Sequence, residues 1–525
     1  MRLFRMNDSQ ARVRLVQAGV VFAAAALVAG CGNNYRPVVT PVNPSGPAPQ
    51  PQSLVVVITA PSPTTPGIAT VIDYAGDSIL AEANIGPGPS SFTLDETGSN
   101  GYTINSDSTI TNISVSTTLQ TKNIAYSTLP STAMPLNMFS PSNGLWAADL
   151  CATAPPSTVC ENAADVFTGG PQTLLLSVPV APTPVMVIGP PLRGTRYFAL
   201  SQNIATPTGL ECNNPPYSSV TQNGVVTPIE IASYTIDTPI TVGKCPVYAV
   251  QSTDTARLFV LNRGSDTISV INAQYGTLDD QCPPPTGCLN QAGQTYFTHP
   301  TLPLSTTALT ATGVIPPNCN YASDHTCGGM PTTAGPVYAE YNTARNLLVV
   351  ADYAGNTITA IDVSLDEYGN DSATFGTTYT IPVGHNPASV TVLFDGSRAY
   401  TANQTDQTVT IANLTSYTVE KTLPVTGYPR TVVSTQNSIY GKVYVASPNT
   451  DYLTILRTDQ DIVDTTVLLQ GDIVDVRVST QNGASGNNNI DSRIPGYGQP
   501  CNLPPGVLAT LYPSGYTLAD CQKQP

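Results

Sequence analysis

A proline-led unit of about 42 residues recurs along this chain, and no other feature limits the fold as tightly. Three copies align without gaps: residues 246–273 (PVYAVQSTDTARLFVLNRGSDTISVINA), 336–363 (PVYAEYNTARNLLVVADYAGNTITAIDV) and 387–414 (PASVTVLFDGSRAYTANQTDQTVTIANL). Each opens on proline and ends its second apolar run on Asn or Asp 16 positions later, at Asn262, Asp352 and Asn403. Pro89 and Asn105 keep the same step, while Pro135, Pro184 and Pro429 open looser copies. Apolar and polar residues alternate within each run, and Gly, Asn, Asp and Pro bound it. That pattern specifies half-buried antiparallel strands. A fourth run, such as 378–385 or 419–426, leads into the next proline. Four strands per unit predict an all-β propeller of four-stranded blades over residues 54–482.

A duplication predicts how the ring closes. VVSTQN at 432–437 opens one repeat, and RVSTQN at 477–482 returns with no strand after it. Residues 54–60, 68–73 and 79–85 conversely resemble second, third and fourth strands that lack a first. Residues 473–480 are expected to complete that N-terminal blade and remove two open edges. Counting prolines with this composite blade favours eight blades over seven.

The strings FVLN (259–262), YTAN (400–403) and YVAS (444–447), with DTISVIN (266–272) and IPVGHNP (381–387), resemble the YVTN-repeat (YncE-like) β-propellers. The resemblance implies fold and leaves activity open, because the motif is structural.

Composition removes the competing classes. Charged residues make up 10 % of the chain, Gly and Pro number 40 and 48, and hydrophobic residues reach 41 %. A helical bundle or coiled coil needs far more Ala, Glu, Lys, Leu and Arg, and a disordered chain has less apolar content. A net charge of −15 argues against nucleic acid as a partner.

The N-terminus reads as an export signal. Arg2, Arg5, Arg12 and Arg14 precede an apolar run from Ala18 to Gly30, too short for a mature membrane span. Val28-Ala29-Gly30-Cys31 resembles a bacterial lipobox. That resemblance implies cleavage after residue 30, acylation of Cys31 and anchoring in the cell envelope, with Gly32 favouring the outer membrane. Residues 31–53 form a Pro-rich tether, whose span from residue 35 reaches roughly 60 Å in an extended polyproline geometry.

Ten further cysteines suit an exported, disulfide-bonded chain. Close spacing suggests the pairs Cys151–Cys160, Cys282–Cys288, Cys319–Cys327 and Cys501–Cys521, leaving Cys212 with Cys245, although spacing alone does not fix connectivity. Cys501 and Cys521 would clip a tail at 483–525. No CxxC or CxxCH occurs, and His299, His325 and His385 lack zinc spacing, so neither metal nor cofactor is expected. The run Asp366-Glu367-Tyr368-Gly369-Asn370-Asp371 reads as a hairpin tip without EF-hand spacing.

Departures from the repeat show where function is to be sought. The unit from Pro246 to Pro336 takes 90 residues, and its excess, about 276–335, carries four cysteines and two histidines. Strands alternate in direction, so the Cys151 and Cys212 segments, each between second and third strands, are expected on one face. The 276–335 insertion is expected on the other, with a fourth strand near 311–316. The leading reading is a monomeric, non-enzymatic propeller tethered to the membrane through Cys31, binding a protein, glycan or small molecule by its loops. A second is a hydrolase resembling the 6-phosphogluconolactonase-like propellers, whose channel carries Arg, Glu and His. A third is a passive envelope module. The single Trp146 and the absence of GxSxG oppose quinone-dependent and α/β-hydrolase chemistry.

Cys31→Ser is expected to move the protein from the membrane fraction to the soluble fraction. An intact, unmodified Cys31 on the mature wild-type chain would contradict lipidation.

Overall fold

The structure, a computed structural model, describes residues 53–480 apart from 75, 96–97, 108, 116–118, 126–134, 142–143, 150–161, 169–172, 191–194, 205–211, 213–219, 305–333 and 436–440. The leader, tether and tail fall outside these residues. So do Cys31, Cys151, Cys160, Cys319, Cys327, Cys501, Cys521 and His325.

Eight four-stranded antiparallel sheets form a ring, an eight-bladed β-propeller. The described residues contain no helix. Blades 2 to 8 have first strands Ser91–Leu94, Pro135–Phe139, Pro184–Ile188, Pro246–Gln251, Pro336–Asn342, Pro387–Val392 and Thr431–Ser434. The looser copies at Pro135, Pro184 and Pro429 thus build complete blades. In blade 7 the inner strand Pro387–Val392 is buried at every position, whereas the outer strand Thr418–Pro424 buries only Leu423. Neighbouring blades converge at the axis and enclose both faces of a first strand. They diverge outward, where alternating side chains meet water.

Blade 1 is composite. Its inner strand, Asp472–Thr480, pairs antiparallel with Ser53–Ala60, in the register Leu54↔Ser479, Val56↔Arg477 and Ala60↔Asp472. Pro66–Asp73 and Ile79–Pro87 follow outward. The closing strand packs between the inner strands of blades 2 and 8. The duplicated VSTQN therefore marks the same inner-strand position in two adjacent blades.

The recurring Asn or Asp has a physical role in joining the second and third strands. Asn105 Nδ2 donates to the hydroxyls of Thr109 and Thr111, both at 2.9 Å. Asn262 donates to Thr267 at 3.3 Å and Ser269 at 2.9 Å, and Asn403 to Thr408 at 3.0 Å and Thr410 at 2.7 Å. A glycine three residues before the proline that opens the same unit lies against each amide. A Cβ on Gly86, Gly243 or Gly384 would come within 2.2, 2.7 and 2.7 Å of Asn105, Asn262 and Asn403. Blade 6 inverts the bond direction. There Thr357 and Thr359 donate to Asp352 Oδ2, at 3.1 and 2.6 Å.

Blade 5 corrects the expected position of its fourth strand. The outer edge of Thr267–Asn272 is occupied by two short segments, Thr277–Leu278 and Thr301–Pro303, and not by 311–316, which lies outside the described residues. Asp279 N–H donates to Val270 O, and Val270 N–H donates to Pro300 O, so the ladder runs on between the two segments. Residues 280–299 are spliced into the middle of a strand. They hold the Cys282–Cys288 disulfide and the hairpin Cys288–Leu289 with Thr295–Tyr296. Removing 277–309 would therefore take scaffold with it.

Burial pushes the Asp352 carboxyl up to about 7, against the pull of Thr359 and Thr357. A folded-state value above the unfolded one gives stability that is complete near pH 4 and lost as pH rises through 7. Asp352→Asn, which restores the amide of blades 5 and 7, is expected to stabilise the protein at pH 8 by on the order of 2 kcal/mol. The gain should shrink as pH falls and vanish near pH 4. Urea titrations at both pH values check this.

Candidate functional site

Two groups of buried polar side chains stand out, one on the ring axis and one between blades 5 and 6. The axial group lies on first strands. Arg477, fully buried, places Nη2 2.6 Å from Asp475 Oδ2 and donates to Phe92 O at 3.3 Å. Arg430 donates to Val474 O at 2.6 Å, and its charge also reaches Asp475. Burial nevertheless holds the Asp475 carboxyl above the ordinary range. Tyr248 and Tyr338, at the same place in adjacent repeats, hold their rings 4.8 Å apart. Burial, then the negative character of Tyr248 and Glu340, raises the Tyr338 hydroxyl, and Arg477 opposes it. Blade 1 thus acts on blade 6 across the ring. Arg477, Glu340, Tyr248 and Tyr338 are all buried, so the axis here is filled by the protein's own side chains.

The second group forms where the spliced segment meets blade 6. Arg257, buried at the start of the second strand of blade 5, lies 3.2 Å from both Asp279 and Asp371 and donates to Gly369 O at 3.3 Å. Asp371 also accepts the backbone N–H of His299 at 3.0 Å, and its Oδ2 lies 2.9 Å from His299 Nδ1. The imidazole stacks on Phe375. Burial and the nearby Asp371 carboxyl outweigh Arg257 and push Asp279 up to about 7. Asp279 and His299 are the residues at which the spliced segment leaves and rejoins the blade. The cluster therefore clamps this segment onto blade 6, at the desolvation cost that a buried charge network carries.

Beside the clamp is a cavity of about 220 Å³ between blades 5 and 6. Ser252, Asp254, Tyr341 and Asn346 line it with buried Arg257, and Val363 and Leu365 form an apolar wall. Asp254 Oδ1 accepts from Ser252 Oγ at 2.5 Å and Ala256 N–H at 2.9 Å. Tyr341 donates to Asn346 Oδ1 at 2.8 Å. No hydrogen bond within the described residues involves Asp254 Oδ2 or Asn346 Nδ2.

The remaining sequence-predicted residues separate from these groups. Cys282–Cys288 is a disulfide, as close spacing suggested, and so is the remaining pair, Cys212–Cys245. The latter ties Cys212, between strands two and three of blade 4, to the residue before Pro246. His385 Nδ1 lies 2.7 Å from Asp406 in the turn between strands two and three of blade 7, and so belongs to a loop clasp. The 366–371 run is a hairpin tip: Asp366 Oδ1 accepts the N–H groups of Tyr368 and Asn370, while Asp371 serves Arg257 and His299. Among the described residues no three His, Cys, Asp or Glu side chains are grouped to hold a metal ion.

Sequence reasoning passed over the axial charges, although the repeats contained a signal. Glu340 stands where the preceding repeat has Val250, and Arg477 where its duplicate has Val432. A charge at a position that is uncharged in the other copies of the repeat marks a neighbour elsewhere.

No protein-family model matches the chain, and no curated protein matches its sequence. The solved structures it resembles are β-propellers. The dihydro-heme d1 dehydrogenase NirN in complex with DHE has a TM-score of 0.50 at 11 % identity, covering 84 % of this chain and 78 % of that one. AztD from Citrobacter koseri gives 0.49 at 11 %, covering 81 % and 97 %. The periplasmic gluconolactonase PpgL of Pseudomonas aeruginosa gives 0.45 at 14 %, covering 81 % and 98 %. The likeness is one of fold.

Proposed function

We propose that this protein is a lipid-anchored propeller of the bacterial cell envelope that binds a ligand on the loop face of blades 5 to 7 and does not turn over a substrate in its channel. The observation that carries this reading is the pairing of a filled axis with a polar cavity off the axis. Arg477 and Glu340 supply residue types that a lactonase-like propeller would use, yet both are buried against Asp475 and Tyr338. A substrate would have to displace that packing. The cavity at Asp254, Tyr341 and Asn346 instead opens among first-to-second and third-to-fourth strand loops, where binding groups on rigid scaffolds concentrate. The lipobox, the Pro-rich tether and the YVTN-like strings support the envelope location and the kinship with YVTN-repeat propellers.

The purified protein is expected to leave hydrolysis of gluconolactone and 6-phosphogluconolactone at the buffer rate. A raised rate that Glu340→Gln abolishes, at unchanged melting temperature, would overturn the reading in favour of the hydrolase.

A further inference from the structure

Blades 6 and 7 present aromatic rings to solvent beside the cavity, on the same loop face. Phe394, in the turn after the first strand of blade 7, is 62 % exposed. Tyr379 of blade 6 and Tyr417 of blade 7 stack with centroids 3.7 Å apart and planes within 2°. One turn joins these rings to the cavity. Its Tyr341 and Asn346 line the cavity. Its Asn342 donates to Leu393 O at 2.9 Å and Phe394 O at 3.1 Å, and its Arg345 donates to Leu414 O at 2.8 Å and Gly396 O at 3.1 Å. Side chain–backbone bonds thus hold cavity and rings in fixed relation across the blade boundary.

We infer that this surface binds a neutral saccharide chain, one ring seated at Asp254, Tyr341 and Asn346 and its neighbours lying against Phe394 and the Tyr379–Tyr417 stack. The inference rests on the binding reading above and names its ligand class. A cavity of about 220 Å³ holds roughly seven waters' share of liquid volume, enough for one pyranose ring and below the size of common drug-like sites. Its lining offers a carboxylate oxygen, an amide and a phenol to hydroxyls, with Val363 and Leu365 for a C–H face. Flat exposed rings add apolar contact at low entropy cost. Charge selects against acidic chains. Asp279 and Asp371 neutralise Arg257, Asp254 is exposed, and the whole chain carries −15.

The test is calorimetric titration of the purified full-length protein with pentasaccharides of glucose, mannose and N-acetylglucosamine, with an oligo-alginate as the anionic probe. At least one neutral pentasaccharide is expected to bind. Phe394→Ala and Tyr379→Ala should each weaken it at least fivefold and Asp254→Asn at least tenfold, with melting temperatures unchanged. Failure of every neutral probe, preference for alginate, or full affinity when Phe394→Ala, Tyr379→Ala and Asp254→Asn are combined would overturn the saccharide assignment. A purified envelope protein that binds and loses affinity in the same variants would also overturn it, while leaving the binding face in place.

Discussion

The pairing of Ser53–Ala60 with Asp472–Thr480 holds the ring shut, and the rest of the molecule depends on it. Each sheet packs its faces on the sheets beside it, so a ring lacking this contact would be an arc with two exposed edges. The chain closes by lending its last described strand to its first blade. The closing strand brings Arg477 and Asp475 to the axis, where Arg430 of blade 8 and Tyr338 of blade 6 meet their charge. Closure and axial filling are consequences of the same strand.

A filled axis moves the opportunity for recognition outward. Inner strands are spent on packing, and only the loops can vary without disturbing the ring. Variation concentrates in blade 5, whose fourth strand is split to admit residues 280–299. Arg257, Asp279, Asp371 and His299 then anchor that segment to blade 6. The turn at 341–346 holds the cavity and the aromatic rings in one arrangement, and Arg257, the residue that anchors the segment, also lines the cavity.

The fold was legible because strand alternation and the 16-residue step from proline to Asn or Asp are local and repeated. Both express geometry. The proline begins the inner strand, and the Asn or Asp clamps the second strand to the third through hydroxyls five and seven positions later in blades 5 to 7, and four and six later in blade 2. The closing strand was legible for the same reason, as a copy lacking its successors. The fourth strand of blade 5 was not, since two short segments carry too little pattern to be recognised as one strand. The clamp was hidden too. Arg257 and Asp371 are 114 positions apart, and Asp279, His299 and Asp371 lie in segments with no counterpart in other repeats. A cavity between blades belongs to neither repeat alone.

Amide hydrogen exchange on the native protein tests the central claim, that the terminal strands form one cooperative unit with the ring. Residues 54–58 and 474–478 are expected to exchange together, only by global unfolding, and as slowly as the inner strands of blades 6 and 7. Exchange in blade 1 that is faster than in those blades, and insensitive to global stability, would contradict closure by this strand.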